Sequence, residues 1–262
     1  MSAGAPLCTG GPEDGLAMLS ARTPRYFLLS ALLGLTASLP LASTAMAQGN
    51  GTSAGTSAGT SASALIVEAE EYALEGNYDA ALPLYEQAIA KLANEPHRQN
   101  QLRYRYGIIL NALGGQRPDL YPLARSQFDA VLRYVESSPG LPFEHSAARI
   151  RSALAHTYHQ QSALQSNPNK RAVMLRNAYQ LYAGAIEELR REEDWQNLAI
   201  TSFNIGQVCE WQGNLEEAIQ WLERAVSLDR RHGFPDLEED QAYLTALREM
   251  VNPERPASNT AI

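Results

Sequence analysis

Apolar residues fall three to four positions apart wherever the chain between residues 64 and 251 is uninterrupted by glycine or a polar cluster, as at Tyr85 and Ile89 and again at Leu222 and Val226. That spacing marks helices packed along one face. One arrangement of such helices occurs twice. The first copy runs Ala69, Tyr72, Gly76-Asn77-Tyr78-Asp79-Ala80-Ala81-Leu82, Tyr85, Ala88-Ile89, and the second runs Gly206, Cys209, Gly213-Asn214-Leu215-Glu216-Glu217-Ala218-Ile219, Leu222, Ala225-Val226. In both, a small residue precedes the turn glycine by seven positions and the second-helix alanine by twelve. Small residues at Ala69 and Ala81, and at Gly206 and Ala218, let two helix backbones approach closely. Gly76 and Gly213 stand where a helix ends in the left-handed conformation, which glycine adopts without a Cβ penalty.

This spacing resembles the tetratricopeptide repeat, a pair of antiparallel helices that stacks on copies of itself. The resemblance implies an all-α, right-handed superhelical solenoid of about four helix pairs with a C-terminal capping helix. Two looser copies lie between the clear ones. In one, Tyr106-Gly107, Leu110, Gly114, Ala124, Phe128 and Val131-Leu132 keep the residue types, but the small-to-small spacing is 17. In the other, Leu154-Ala155, Tyr158, Ala178, Tyr182 and Ala185-Ile186 give a spacing of 23, with Asn167-Pro168 as a helix cap and first turn, so both helices of that pair are expected to be long. The capping helix is placed after Asp236, with Glu239 reaching back in a capping box. Its apolar stripe is Leu237, Tyr243, Leu244, Leu247 and Val251, and Glu238, Glu239, Asp240, Arg248 and Glu249 are expected to face solvent.

Four segments follow: a targeting sequence over 1–47, a tether over 48–63, the repeat domain over 64–251 and a disordered tail over 252–262. Arg22 and Arg25 precede the apolar run from Tyr26 to Leu35, and Pro40 leads to Ala45-Met46-Ala47-Gln48, the parts of a secretory signal peptide. Met18 stands where such peptides start. Cleavage before Gln48 would release the domain outside the cytoplasm, in the periplasm of a bacterium; an uncleaved segment would anchor it in the membrane instead. The Ser- and Ala-rich composition leaves plastid or lumenal targeting open. The Gly-Thr-Ser-Ala tract that follows cannot bury a core and reads as a flexible spacer or as unconstrained sequence.

The formal net charge of −8 excludes the basic face expected of a nucleic-acid binder. It survives removal of residues 1–47, because Glu13 and Asp14 cancel Arg22 and Arg25. Cys209 alone would remain, at an apolar helix position, so no intrachain disulfide can form. No phosphate loop, nucleophile elbow or His-Glu-x-x-His motif is present. His156 and His159, one turn apart, are the sole candidate metal pair, and lack an obvious third ligand. The acid pairs Glu70-Glu71, Glu187-Glu188 and Glu216-Glu217 are expected on helix exteriors.

The resemblance further implies that the first helix of each pair lines a concave groove. Ile66 and Glu70 would project there, followed by Tyr104, Ile108 and Asn111, then Arg149, Ser152, His156 and His159, and finally Phe203, Gln207, Glu210 and Trp211. Aromatics mixed with amides, histidine and arginine suit an extended peptide or a partner helix. Tyr104 and Phe203 could equally be packing against the next repeat. The expectation is a non-catalytic scaffold or adaptor for other proteins in the cell envelope, with no cofactor, no metal and no nucleic acid. The alternatives are a fixed subunit of an envelope assembly, secretion or polysaccharide-export machine, and a metal-binding or enzymatic protein using His156 and His159.

Overall fold

The computed structural model describes residues 60–138 and 140–252, and among the described residues it holds nine helices and no strand. They are α1 (Ala62–Leu74), α2 (Tyr78–Lys91), α3 (Pro96–Leu113), α4 (Leu120–Ser137), α5 (Ala147–Ala163), α6 (Pro168–Arg191), α7 (Trp195–Trp211), α8 (Leu215–His232) and α9 (Leu237–Val251). Each odd-numbered helix up to α7 packs closely against its successor, giving four pairs, and α9 closes the last of them. The first helices also meet one another, α3 with α5 and α5 with α7. This is the all-α repeat solenoid with a terminal helix. The targeting segment, residues 48–59 of the tether and the tail from 253 lie outside the described residues. Residues 62 and 63, expected in the tether, already belong to α1, whose Ser61 hydroxyl accepts from the Ala64 amide at 3.2 Å.

The turns are made by the residues whose spacing carried the resemblance. Gly76 and Gly213 have φ of +75° and +83°. Across each, the following asparagine amide reaches back to a carbonyl in the last turn, Asn77 to Tyr72 at 2.8 Å and Asn214 to Cys209 at 2.9 Å. The glycine amides bond Ala73 and Glu210, so the orphan carbonyls of both helices are satisfied by a Schellman-type closure. The crossing residues are equally constrained. A Cβ on Gly206 would sit 2.8 Å from Leu222 Cγ, and one on Gly107 would sit 2.9 Å from the Phe128 ring. Ala155, Ala178 and Tyr182 are fully buried in the third pair.

Three local expectations are corrected. The extra length of the third pair goes to one helix only, since α6 has 24 residues and α5 has 17. Asn167 does cap it, accepting from the Lys170 amide at 3.1 Å with Pro168 in the first turn. The capping box on α9 is not made: Asp236 is itself in the helical region with no side-chain cap bond, and the Glu239 amide bonds the Asp236 backbone carbonyl instead. Asp240, expected in solvent, is only 6% exposed.

The core runs as two large clusters that meet at α5. One joins α1 to α4 with Ile150, Ala153 and Leu154; the other joins Ala155 to α6 through α9. A smaller group, Ala148, Ala185, Leu189 and Leu198, closes α5, α6 and α7. Cys209 is a buried packing residue whose thiol is pushed up to about 12, by burial first and by Glu217 after it.

Candidate functional site

Stacking the first helices side by side leaves them little free surface, and this decides where the expected groove residues lie. Tyr104, Ile108, Asn111, Ser152, His156, His159, Phe203, Gln207 and Glu210 are all buried, and only Arg149 and Trp211 are half-buried. Ser152 bonds Thr201 across α5 and α7 at 3.2 Å. Arg149 reaches Asp194, the N-cap of α7, at 2.5 Å. His156 faces the Tyr182 hydroxyl at 3.3 Å and Gln160 at 3.1 Å. Burial lowers His156 to about 4 and His159 well below the ordinary histidine value, so both rings are neutral. They are core histidines, and among the described residues no group of three or more His, Cys, Asp or Glu is placed to hold a metal ion.

The two ends of this face are covered by other parts of the chain. At α3, His145 of the α4–α5 connection stacks on Tyr104 with ring centroids 4.0 Å apart. Phe143 of the same connection meets His97 edge-on at 5.7 Å, and Glu144 accepts from Gln101 at 3.1 Å. At α7, Tyr243 of α9 packs edge-to-face on Phe203 at 5.3 Å, and its hydroxyl donates to Glu210 Oε2. Phe203 and Glu210 are thus residues of the α7–α9 interface. Phe203 sits in a different core cluster from Tyr104 and Ile108, so the eleven positions do not form one open strip.

Between the covers one corner stays accessible. The Trp211 indole lies 4.6 Å from His159, centroid to centroid, and the Arg171 guanidinium stands 5.6 Å over it. Arg171 comes from the first turns of α6, the added length of the third pair. Several buried polar atoms of the first helices and of Arg171 have no hydrogen-bond partner within the chain: Asn111 Oδ1, both His159 ring nitrogens, the Asn204 amide, Gln207 Oε1, Trp211 Nε1 and Arg171 Nε.

The acid pairs have mixed roles. Glu187 pairs with its helix neighbour Arg190 on the exterior, and Glu188 with Arg151 at 2.6 Å. Glu70 reaches across to Arg105 on α3, and Glu217 accepts from Tyr179 at 2.7 Å. None of the three pairs is an isolated couple of carboxyls. Among the described residues no helix is long and apolar enough to cross a membrane.

Helix pairs of this kind, with small residues at the crossings and glycine at the turns, define a stacked-repeat protein. Two family models, both for the tetratricopeptide repeat, match residues 69–99 and 199–232. The first and fourth pairs are thus tetratricopeptide repeats, and such repeats generally mediate contact between proteins. The two matches cover the first and fourth pairs, those with the regular spacing of twelve. No curated protein resembles the chain closely enough to match it.

Proposed function

We propose that the protein is an exported, non-catalytic adaptor of the cell envelope that holds a peptide or helix of a partner protein along the first helices, centred on Trp211. One observation carries the binding reading: Trp211, at the end of α7, stays half-buried beside the half-buried Arg171, whose guanidinium stands 5.6 Å from the indole. A half-buried Trp flanked by Arg171 supplies contact area for a peptide or helix at low entropic cost. Export rests on the arrangement of Arg22, Arg25, the apolar run and Ala45-Met46-Ala47.

Photo-crosslinking from position 211 in the full-length protein, in its native cells, tests the binding reading. Crosslinks to one recurrent partner segment from position 211, absent from position 187 on the exterior of α6, are expected. Equal labelling from both positions overturns it. Intact mass of the protein isolated from its native cells tests export separately: a chain starting at or near Gln48 is expected, and one retaining Tyr26 to Ala47 makes it membrane-anchored.

A further inference from the structure

The third helix pair is charged unlike the rest of the molecule. From residue 145 to 186 the chain has no Asp or Glu and five Lys or Arg, in a protein of formal net charge −8. Two of those cations are neutralised inside the fold. Arg149 pairs with Asp194 at 2.5 Å, and Arg151 pairs with Glu136 at 2.7 Å and Glu188 at 2.6 Å. Lys170, Arg171 and Arg176, all on α6, are in no ion pair among the described residues.

Lys170 and Arg171 also work against their own helix. The second helices of the two regular pairs begin with acids, Asp79 on α2 and Glu216 and Glu217 on α8, as helix polarity favours. The first turn of α6 has no acid, and Lys170 and Arg171 follow its Asn167 cap instead. Local stability therefore does not account for them. Arg171 touches a ring: its guanidinium stands over the Trp211 indole, and both side chains are half-buried, so its plane is held while part of its charge stays accessible. The sole acid of α7, Glu210, does not neutralise it, since Glu210 accepts from the Tyr243 hydroxyl on the α9 side. A planar guanidinium backed by a ring presents paired N–H donors in the geometry that matches a carboxylate.

We propose that the segment held at Trp211 is acidic, with an Asp or Glu side chain of the partner pairing with Arg171 and a further carboxylate drawn by Lys170. The proposal rests on Trp211 as the centre of the binding surface and adds the charge of what binds there. Two adjacent cations suit a run of side-chain carboxylates better than a single chain terminus. Attraction of this kind favours acidic partners and speeds their encounter, and added salt weakens it.

Selection from a displayed library of random peptides on the full chain tests it. Recovered peptides should be enriched in Asp and Glu over the unselected library, and should crosslink to a photoreactive residue at position 212, beside Trp211. Arg171→Gln should weaken an acidic peptide about tenfold, the loss of one charge-assisted pair. Arg190→Gln, which breaks the exterior pair with Glu187, should leave binding unchanged. Arg171→Lys keeps the charge without the planar fork, should fall between, and carries the test if Arg171→Gln loses helical circular dichroism. Peptides resynthesised with amidated C-termini should bind as before. No acid excess, equal binding by the parent and the Arg171 variants, or loss on amidation, which would assign the cation to a chain terminus, would each overturn the proposal. Neutral peptides that still crosslink at 212 would overturn the acidic preference alone. Acidic peptides that never crosslink there, or a selection that recovers nothing, would overturn the Trp211 reading with it.

Discussion

The two covers on the first-helix face occupy equivalent places and are built from opposite chemistry. At α3 the chain lays an aromatic patch, Phe143 and His145, over His97 and Tyr104; at α7 it lays a helix whose contacts include the acids Asp229, Asp240 and Glu210. His145 is lowered to about 4, by burial first and by the Arg149 charge after it. A histidine lowered on folding stabilises fully above its ordinary 6.5, and that contribution fades as pH falls toward 4. The stabilising contribution of His145 at the α3 end therefore fades in acid, whereas those of Glu210 and Asp229 at the other end, both raised by burial, fade as pH rises. Covering equivalent surfaces with an imidazole at one end and carboxyls at the other gives the face two ends that respond to protons with opposite sign.

The sharpest way to break this comparison is Phe203→Ala, which removes the seat of Tyr243 from the core. A loss of about 3 kcal/mol is expected from urea unfolding, with α9 losing exchange protection before α3 does. Simultaneous loss along the whole chain would mean that α9 is not a separable cover. Next comes His145→Gln, which keeps a polar side chain but cannot titrate. Parent stability should drop between about pH 6.5 and pH 4 by about 1.4 kcal/mol or more from this site, and the variant should lack that component. Identical acid profiles would remove the imidazole from the comparison.

Each cover begins at a glycine in the left-handed region, Gly140 with φ of +92° and Gly233 with φ of +68°, and a Cβ at either meets nothing within 4 Å. Alanine at each should cost about 1 kcal/mol through backbone strain alone. The exchange change should stay local, over 141–146 for Gly140→Ala and over α9 for Gly233→Ala. The smallest effect belongs to Glu144→Ala, which deletes an exposed bond to Gln101 and should lower stability by about 0.5 kcal/mol or less. A larger loss would show that the α3 cover is held by hydrogen bonding more than by ring stacking.

What the chain reveals before folding follows from how local each constraint is. Gly76, Gly213, Gly206 and Ala69 are read directly, because a positive φ and a close helix crossing each restrict one position to one or two residue types. The pairs with extra length were readable too, since the small residues keep their partners across insertions. Side-chain direction at the edges of a stripe was not. Asp240 is an acid among acids in a first turn, and nothing local marks it as the one that turns inward. Phe203 and Glu210 follow the repeat's groove register, but that register says nothing about a following helix that closes over them. Arg171 was missed although a signal existed: the spacing of 23 requires a long second helix, and its added turns bring the guanidinium over Trp211. Phe143 and His145 form an aromatic run inside a Pro- and Gly-containing connection, a composition that indicates a loop with something to pack against.

The four pairs are not joined equally. α2 touches α3 far less than α4 touches α5 or α6 touches α7, and the Arg105–Glu70 bridge is an ion pair tying α1 to α3. Tension applied through the residues before Ala62 would therefore peel α1 and α2 away as a unit and stop at α3, where the Tyr104, Phe128 and His145 rings resist shear. If the tether hangs the domain from a surface, the first pair is its mechanical fuse, giving way under load while the remaining helices stay assembled.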